Sequence, residues 1–222
     1  ALASKDLKLR SPGTLPPQVR LDANSEMQCT TCHDAHNNAL GKFLVMQNTS
    51  SELCMSCHTM GASNVSGHAD CSACHQPHTA PSGPYLLRAA TISDTCIRCH
   101  NGTVPGAANI KPDTQKAFPH DTNSPVDPSG SPDEHASCAD CHDPHSLQTR
   151  AAGNALCNRC HNDTVYDVPG HHRHLSGSKG AQCINCHMPT QNYMVIHARQ
   201  DHSLRVPRPD LSLSLGTPNA CN

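Results

Sequence analysis

The chain has 222 residues with a formal net charge of −2, and its 16 Lys and Arg are scattered without a basic run, which excludes the footprint of a nucleic-acid-binding protein. It has no Trp, two Phe and three Tyr, and only 36% hydrophobic residues with cysteine included, so its own side chains cannot build an ordinary core. No apolar stretch is long enough to cross a bilayer, and the composition taken alone, with 18 Pro and 13 Gly, would point to disorder.

Along the chain, residues 1–28 lack Cys and His and carry Ser11-Pro12-Gly13 and Pro16-Pro17, which predicts an extended arm. Its first residues, Ala1-Leu2-Ala3-Ser4-Lys5, read as a mature terminus left by signal cleavage. Residues 29–100 hold four Cys-x-x-Cys-His phrases: Cys29-Cys32-His33, Cys54-Cys57-His58, Cys71-Cys74-His75 and Cys96-Cys99-His100. Residues 101–134, rich in Pro, Gly, Asn and Asp, predict a long loop. Residues 135–222 hold three more phrases, Cys138-Cys141-His142, Cys157-Cys160-His161 and Cys183-Cys186-His187, followed by a tail in which Pro207 and Pro209 predict extended chain. Short helices are expected at each phrase and its following turn.

Seven copies of this spacing are the signature of c-type haem attachment. Two thiols three residues apart form thioethers to one porphyrin, and the adjacent imidazole becomes the proximal iron ligand. Zinc sites and a disulfide framework are the rival readings, but neither requires His directly after every cysteine pair. Seven haem c groups, about one per 32 residues, would replace the missing core and leave the haem-free polypeptide largely unfolded. The fold class expected is mostly irregular coil with short α-helices packed around a chain of covalently bound haems, and almost no β. Two propionates and a ferric core of roughly +1 per haem would together add about −7 to the charge.

The phrases come in pairs. An extended copy with a second His (His33 and His36, His75 and His78, His142 and His145) is followed by a plain one. Cys183 opens a fourth unit, and Cys221 stands where its partner phrase would begin. It reads either as an eighth attachment site cut inside its motif or as a free or intermolecular cysteine.

Eighteen His leave eleven after the proximal seven, enough to give every iron a second imidazole. Met60 and Met188 lie too close to their own proximal His to reach the opposite haem face. His36, His78 and His145 are each expected on a neighbouring turn of one short helix with the proximal His before them, therefore on that ligand's side of its haem, and one that binds iron must serve a different haem. His68 and His135, each three residues before an extended motif, form a second class of distal ligand. His120 is a further candidate, the cluster His171-His172-Arg173-His174 is expected to supply at least one ligand, with His172 and His174 named, and His202 is preferred to His197. Bis-histidine ligation implies low potentials.

The alternation of CTTCHDAH, CSACHQPH and CADCHDPH with CMSCH, CIRCH and CNRCH resembles multihaem c-type cytochromes with doubled CxxCH motifs, over residues 29–161. The segment from His171 to Asn222 resembles another multihaem cytochrome family, in which the ACN phrase continues into a complete motif. The resemblance implies electron transfer between closely spaced haems, and export to the periplasm, cell surface or exterior. Its partners would be other redox proteins, an extracellular acceptor, or further copies in a conductive filament. The alternative function is a multihaem reductase of a small nitrogen or sulfur oxyanion, against which stand the absence of a CxxCK phrase and the surplus of His. A structural or docking module of a larger protein is a third reading.

Overall fold

A computed structural model describes residues 8–60, 67–81, 85–110, 137–193, 197–204 and 206–215. Its elements are short, as a chain punctuated by Pro and Gly requires. Helices of four to six residues cover Cys29–Cys32, Glu52–Met55, Ile92–Ile97, Cys138–Cys141, Asn154–Cys157, Asp163–Tyr166, Pro169–His172 and Cys183–His187, and a single 3-10 turn covers Cys71–Ala73. The described β structure is one antiparallel ribbon, β1 (Thr190–Tyr193) with β2 (His197–Gln200), and a few isolated bridges. The mostly irregular, low-β architecture read from the composition is therefore the observed one.

The chain forms two compact units, Ala1–Arg88 with Pro144–Leu147, and Ala89–Asp143 with Gln148–Asn222. Buried hydrophobic side chains among the described residues are Val19, Leu53 and Ala181, while Phe43, Tyr85, Val165 and Tyr166 stand exposed. Several buried positions are polar instead. Thr31 receives a hydrogen bond from the Gln28 amide and donates to Arg20 O (2.8 Å), which holds the chain before the first motif against it.

Two sequence expectations fail locally. The extended motifs do not run as helix through their second His: the helix ends at Cys32 or Cys141, and His33 (φ −124°, ψ 138°) and His142 (φ −106°, ψ 140°) are already extended. Each instead bridges to a later segment, His33 to Leu44, His75 to Leu87 and His142 to Thr149. His36 is reached through a turn in which Asp34 Oδ1 accepts the His36 amide. The tail is likewise not extended throughout, because Pro209–Leu215 is helical. A proline in the first helical turn lacks only an amide that would be orphaned there, so it starts this helix instead of excluding it. Asp210 in the first turn pairs with Arg208 at 2.6 Å.

Candidate haem sites

Each extended motif is closed by a three-residue strap. In the first, Asp34 N donates to Phe43 O, His33 bridges Leu44, and Val45 N donates to Cys32 O (3.0 Å). Residues 86–88 and 148–150 repeat this at the third and fifth motifs, with Arg88 N on Cys74 O and Arg150 N on Cys141 O (both 2.9 Å). The second motif borrows its strap from the far end of the chain: Thr59 N donates to Lys8 O, His58 bridges Leu9, and Arg10 N donates to Cys57 O (2.7 Å). Lys8, Phe43 and Leu86, first residues of their straps, all have positive φ (44°, 55° and 53°). For side chains of this size that backbone is strained, and its recurrence beside three attachment motifs marks the strap as a built device.

The first cysteines of successive motifs lie side by side: Cys54 beside Cys71, Cys96 beside Cys138, and Cys157 beside Cys183. In each junction a polar residue three before the plain motif meets the first cysteine of the next: Ser51 Oγ accepts the Cys71 amide (2.8 Å), Ser93 Oγ accepts from Cys138 Sγ (3.8 Å), and Asn154 Oδ1 accepts the Cys183 amide (2.9 Å). Burial, reinforced by the neighbouring thiol, pushes Cys54 and Cys157 up to about 11, whereas the hydrogen bond from Cys96 brings Cys138 down to about 6. In the extended-plain pairs that begin at Cys29 and Cys138 the second cysteines are neighbours: Cys57 raises Cys32 after burial, and Cys160 raises Cys141 after burial and Asp140.

The imidazoles pair across these motifs. His78 lies 5.7 Å from His33 between ring centroids, His145 lies 6.2 Å from His75 with ring planes 2° apart, His202 lies 6.4 Å from His142, and His171 lies 6.2 Å from His187 at 6°. At such centroid separations near-parallel five-membered rings do not overlap face to face. Nδ1 of His33, His75, His100 and His202 sits 2.7–3.0 Å from a backbone carbonyl (Lys42, Tyr85, Ala108 and Gln200). A carbonyl only accepts, so Nδ1 carries the proton and Nε2 keeps the lone pair that a metal needs. Burial, then His202 and His100, hold His142 below the usual imidazole range, favouring the neutral, ligating form. A cavity of about 460 Å³ beside the first motif is lined by Cys29, Thr30 and His33, with Ala35 and Phe43 as its apolar wall. Paired thiols, a presented Nε2 and an apolar wall fit a porphyrin.

A family model for the doubled CXXCH motif matches residues 23–62, 64–104 and 131–166, together just over half of the chain. The chain belongs to this family of multihaem c-type cytochromes. Haem c supplies the one-electron iron chemistry, and the cytochrome supplies attachment, orientation and electrostatics. No curated protein and no solved structure matches the chain.

Against the residues named from sequence, the cytochrome brings His78, His145 and His202 opposite the proximal His of other motifs. His36 is exposed, and among the described residues no ring stands opposite it. His68 is half-buried in a turn, and His120, His135 and Cys221 lie outside the described residues. In the His171–His174 cluster the residue facing His187 is His171, which spacing did not single out. His172 and His174 face each other at 6.5 Å, but Nδ1 of His172 accepts the His174 amide, which puts the proton of the neutral ring on Nε2, the wrong atom for iron. The straps and the serine and asparagine stitches were also not read from sequence, although the common offset of Ser51, Ser93 and Asn154 was there to be seen.

Asp70 connects the second and third motifs, accepting from Ser72 N (2.8 Å) and Ser51 Oγ (3.0 Å). The Ser72 amide, helped by Ser51 and Arg88, holds its carboxyl below the usual value. A lowered carboxyl stabilises the fold above its unfolded pKa, about 3.9, and loses that contribution as pH falls through the folded value. Acid titration of wild type and Asp70→Asn, followed by haem optical bands, is expected to show an added loss below about pH 4 in wild type only, worth about 1 kcal/mol or less at this exposed site.

Proposed function

We propose that this cytochrome conducts electrons through seven closely spaced haem c groups, each held by two histidines, outside the cytoplasm. The carrying observation is the set of four imidazole pairs at 5.7–6.4 Å, each joining a CxxCH histidine to one from elsewhere. Two imidazoles that would hold one iron through Nε2 at about 2.0 Å, with roughly 1.1 Å from that nitrogen to the ring centre, would have centroids about 6.2 Å apart. On this reading His78 serves the first haem, His145 the third, His202 the fifth and His171 the seventh. The second histidine of an extended motif then reaches back by one paired unit. The ribbon and the buried Asp201, whose Oδ1 accepts the Ser203 amide and whose Oδ2 accepts from Gln191, set His202 in place. Low potentials follow from bis-histidine ligation, and other redox proteins are the partners.

The filament form of this reading rests on His36. It occupies the motif position of His78 and His145, and in that form it reaches a haem of another copy; imaging of purified material distinguishes filaments from monomers.

The test against the reductase alternative is ligand binding at iron. Oxidised holoprotein titrated with cyanide or nitrite is expected to keep its optical and EPR spectra. Binding at one haem would move the function to oxyanion reduction.

A further inference from the structure

Three of the four straps end in arginine, and those three side chains do the same thing. Arg10, Arg88 and Arg150 each donate the backbone amide to the second cysteine of a motif (Cys57, Cys74 and Cys141). Each also turns its guanidinium back, donating Nε to the carbonyl of the residue that follows the first cysteine: Met55 O at 3.3 Å, Ser72 O at 2.5 Å, and Ala139 O. One arginine therefore grips both ends of one CxxC turn. The sequence offsets share nothing, since Arg10 precedes its motif while Arg88 and Arg150 follow theirs. The first motif has the same strap with Val45 at that position, a closed loop without the charge.

A guanidinium stays protonated throughout the physiological range, and here it is fixed against the backbone between two thioether cysteines. Reduction adds one electron to the site and lowers its charge by one, so a fixed cation beside it favours the reduced form. We propose that Arg10, Arg88 and Arg150 are positioning residues that raise the reduction potentials of the haems on the second, third and fifth motifs relative to the first. The proposal rests on haem occupying these motifs, as the family establishes, and not on the axial pairing. Acids temper the effect: Asp70 lies beside Arg88 and near Cys54 of the second motif, and Asp140 lies within the fifth. The second motif, Cys54-Met55-Ser56-Cys57, holds no acid of its own, so Arg10 is the place to measure.

Potentiometric titration of the holoprotein, with haem content checked by mass spectrometry, tests this. In Arg10→Gln one component of the titration is expected to move to lower potential at 10 mM salt. The shift is up to about tenfold in its reduction equilibrium, 59 mV for one electron. It should shrink in 1 M salt, where the Debye length falls from about 30 Å to about 3 Å. Arg10→Lys should recover most of it. Val45→Arg places a charge on the unclamped strap and should raise one component, which keeps the test decisive if Arg10 variants lose a haem. The proposal is overturned if Gln and Lys act alike, if the shift ignores salt, or if Val45→Arg leaves every midpoint in place with its haems attached.

Discussion

Replacing His145 with alanine is expected to leave one iron five-coordinate, the one attached through Cys71 and Cys74. His145 comes from a turn after the fifth motif, yet Pro144–Leu147 belongs to the unit of the third, and its ring lies 6.2 Å from His75 with the two ring planes 2° apart. The Nδ1 contact with Tyr85 O (2.7 Å) keeps the His75 lone pair on Nε2, so the proximal bond survives the change. EPR of the oxidised variant should show high-spin ferric haem amounting to one of seven, and that haem alone should bind cyanide. His171→Ala should do the same at the seventh motif, whereas His172→Ala should leave every haem low-spin. A fully low-spin His145→Ala protein would show that the back-reaching histidines are not ligands.

The second large effect concerns the fold itself. Val19, Leu53 and Ala181 are the buried hydrophobic residues among those described, too little apolar area to offset the ordering of a chain of this length. Each porphyrin that buries roughly 400 Å² of apolar surface adds about 10 kcal/mol. Polypeptide made without haem attachment should therefore give the far-ultraviolet circular dichroism of an unfolded chain and be cleaved along its whole length by protease. Cys71→Ala with Cys74→Ala removes one haem and should unfold the unit built on the first three motifs, because Cys54, Ser51 and Asp70 all meet at that attachment point. Native-like dichroism from haem-free protein would mean that the straps and stitches suffice.

What was legible in the sequence was local chemistry. The CxxCH spacing is compact, so the seven motifs and the haem c chemistry they indicate follow from residue order alone. The repeat register also carried neighbour information: a second His after the proximal one was expected to serve another haem, and His78 and His145 stand opposite His33 and His75. The premise behind that reading was wrong in detail, because the helix stops at the second cysteine or before it and an extended bridge follows. Long-range closure was illegible. Arg10 grips a motif 45 residues away, while Arg88 and Arg150 grip motifs just behind them, so no spacing rule connects the three. His171 could not be separated from His172 by sequence, since which ring turns toward His187 depends on the short helix Pro169–His172 and the left-handed Arg173 that ends it. Pro209 was misread because proline forbids a helix interior but suits its first turn.

Iron positions decide whether the paired imidazoles are axial ligands. Anomalous diffraction at the iron edge from crystals of the oxidised holoprotein should place one iron midway between the rings of each pair His33 and His78, His75 and His145, His142 and His202, and His171 and His187. Irons bound to the CxxCH histidines but lying away from those partner rings would contradict that ligation.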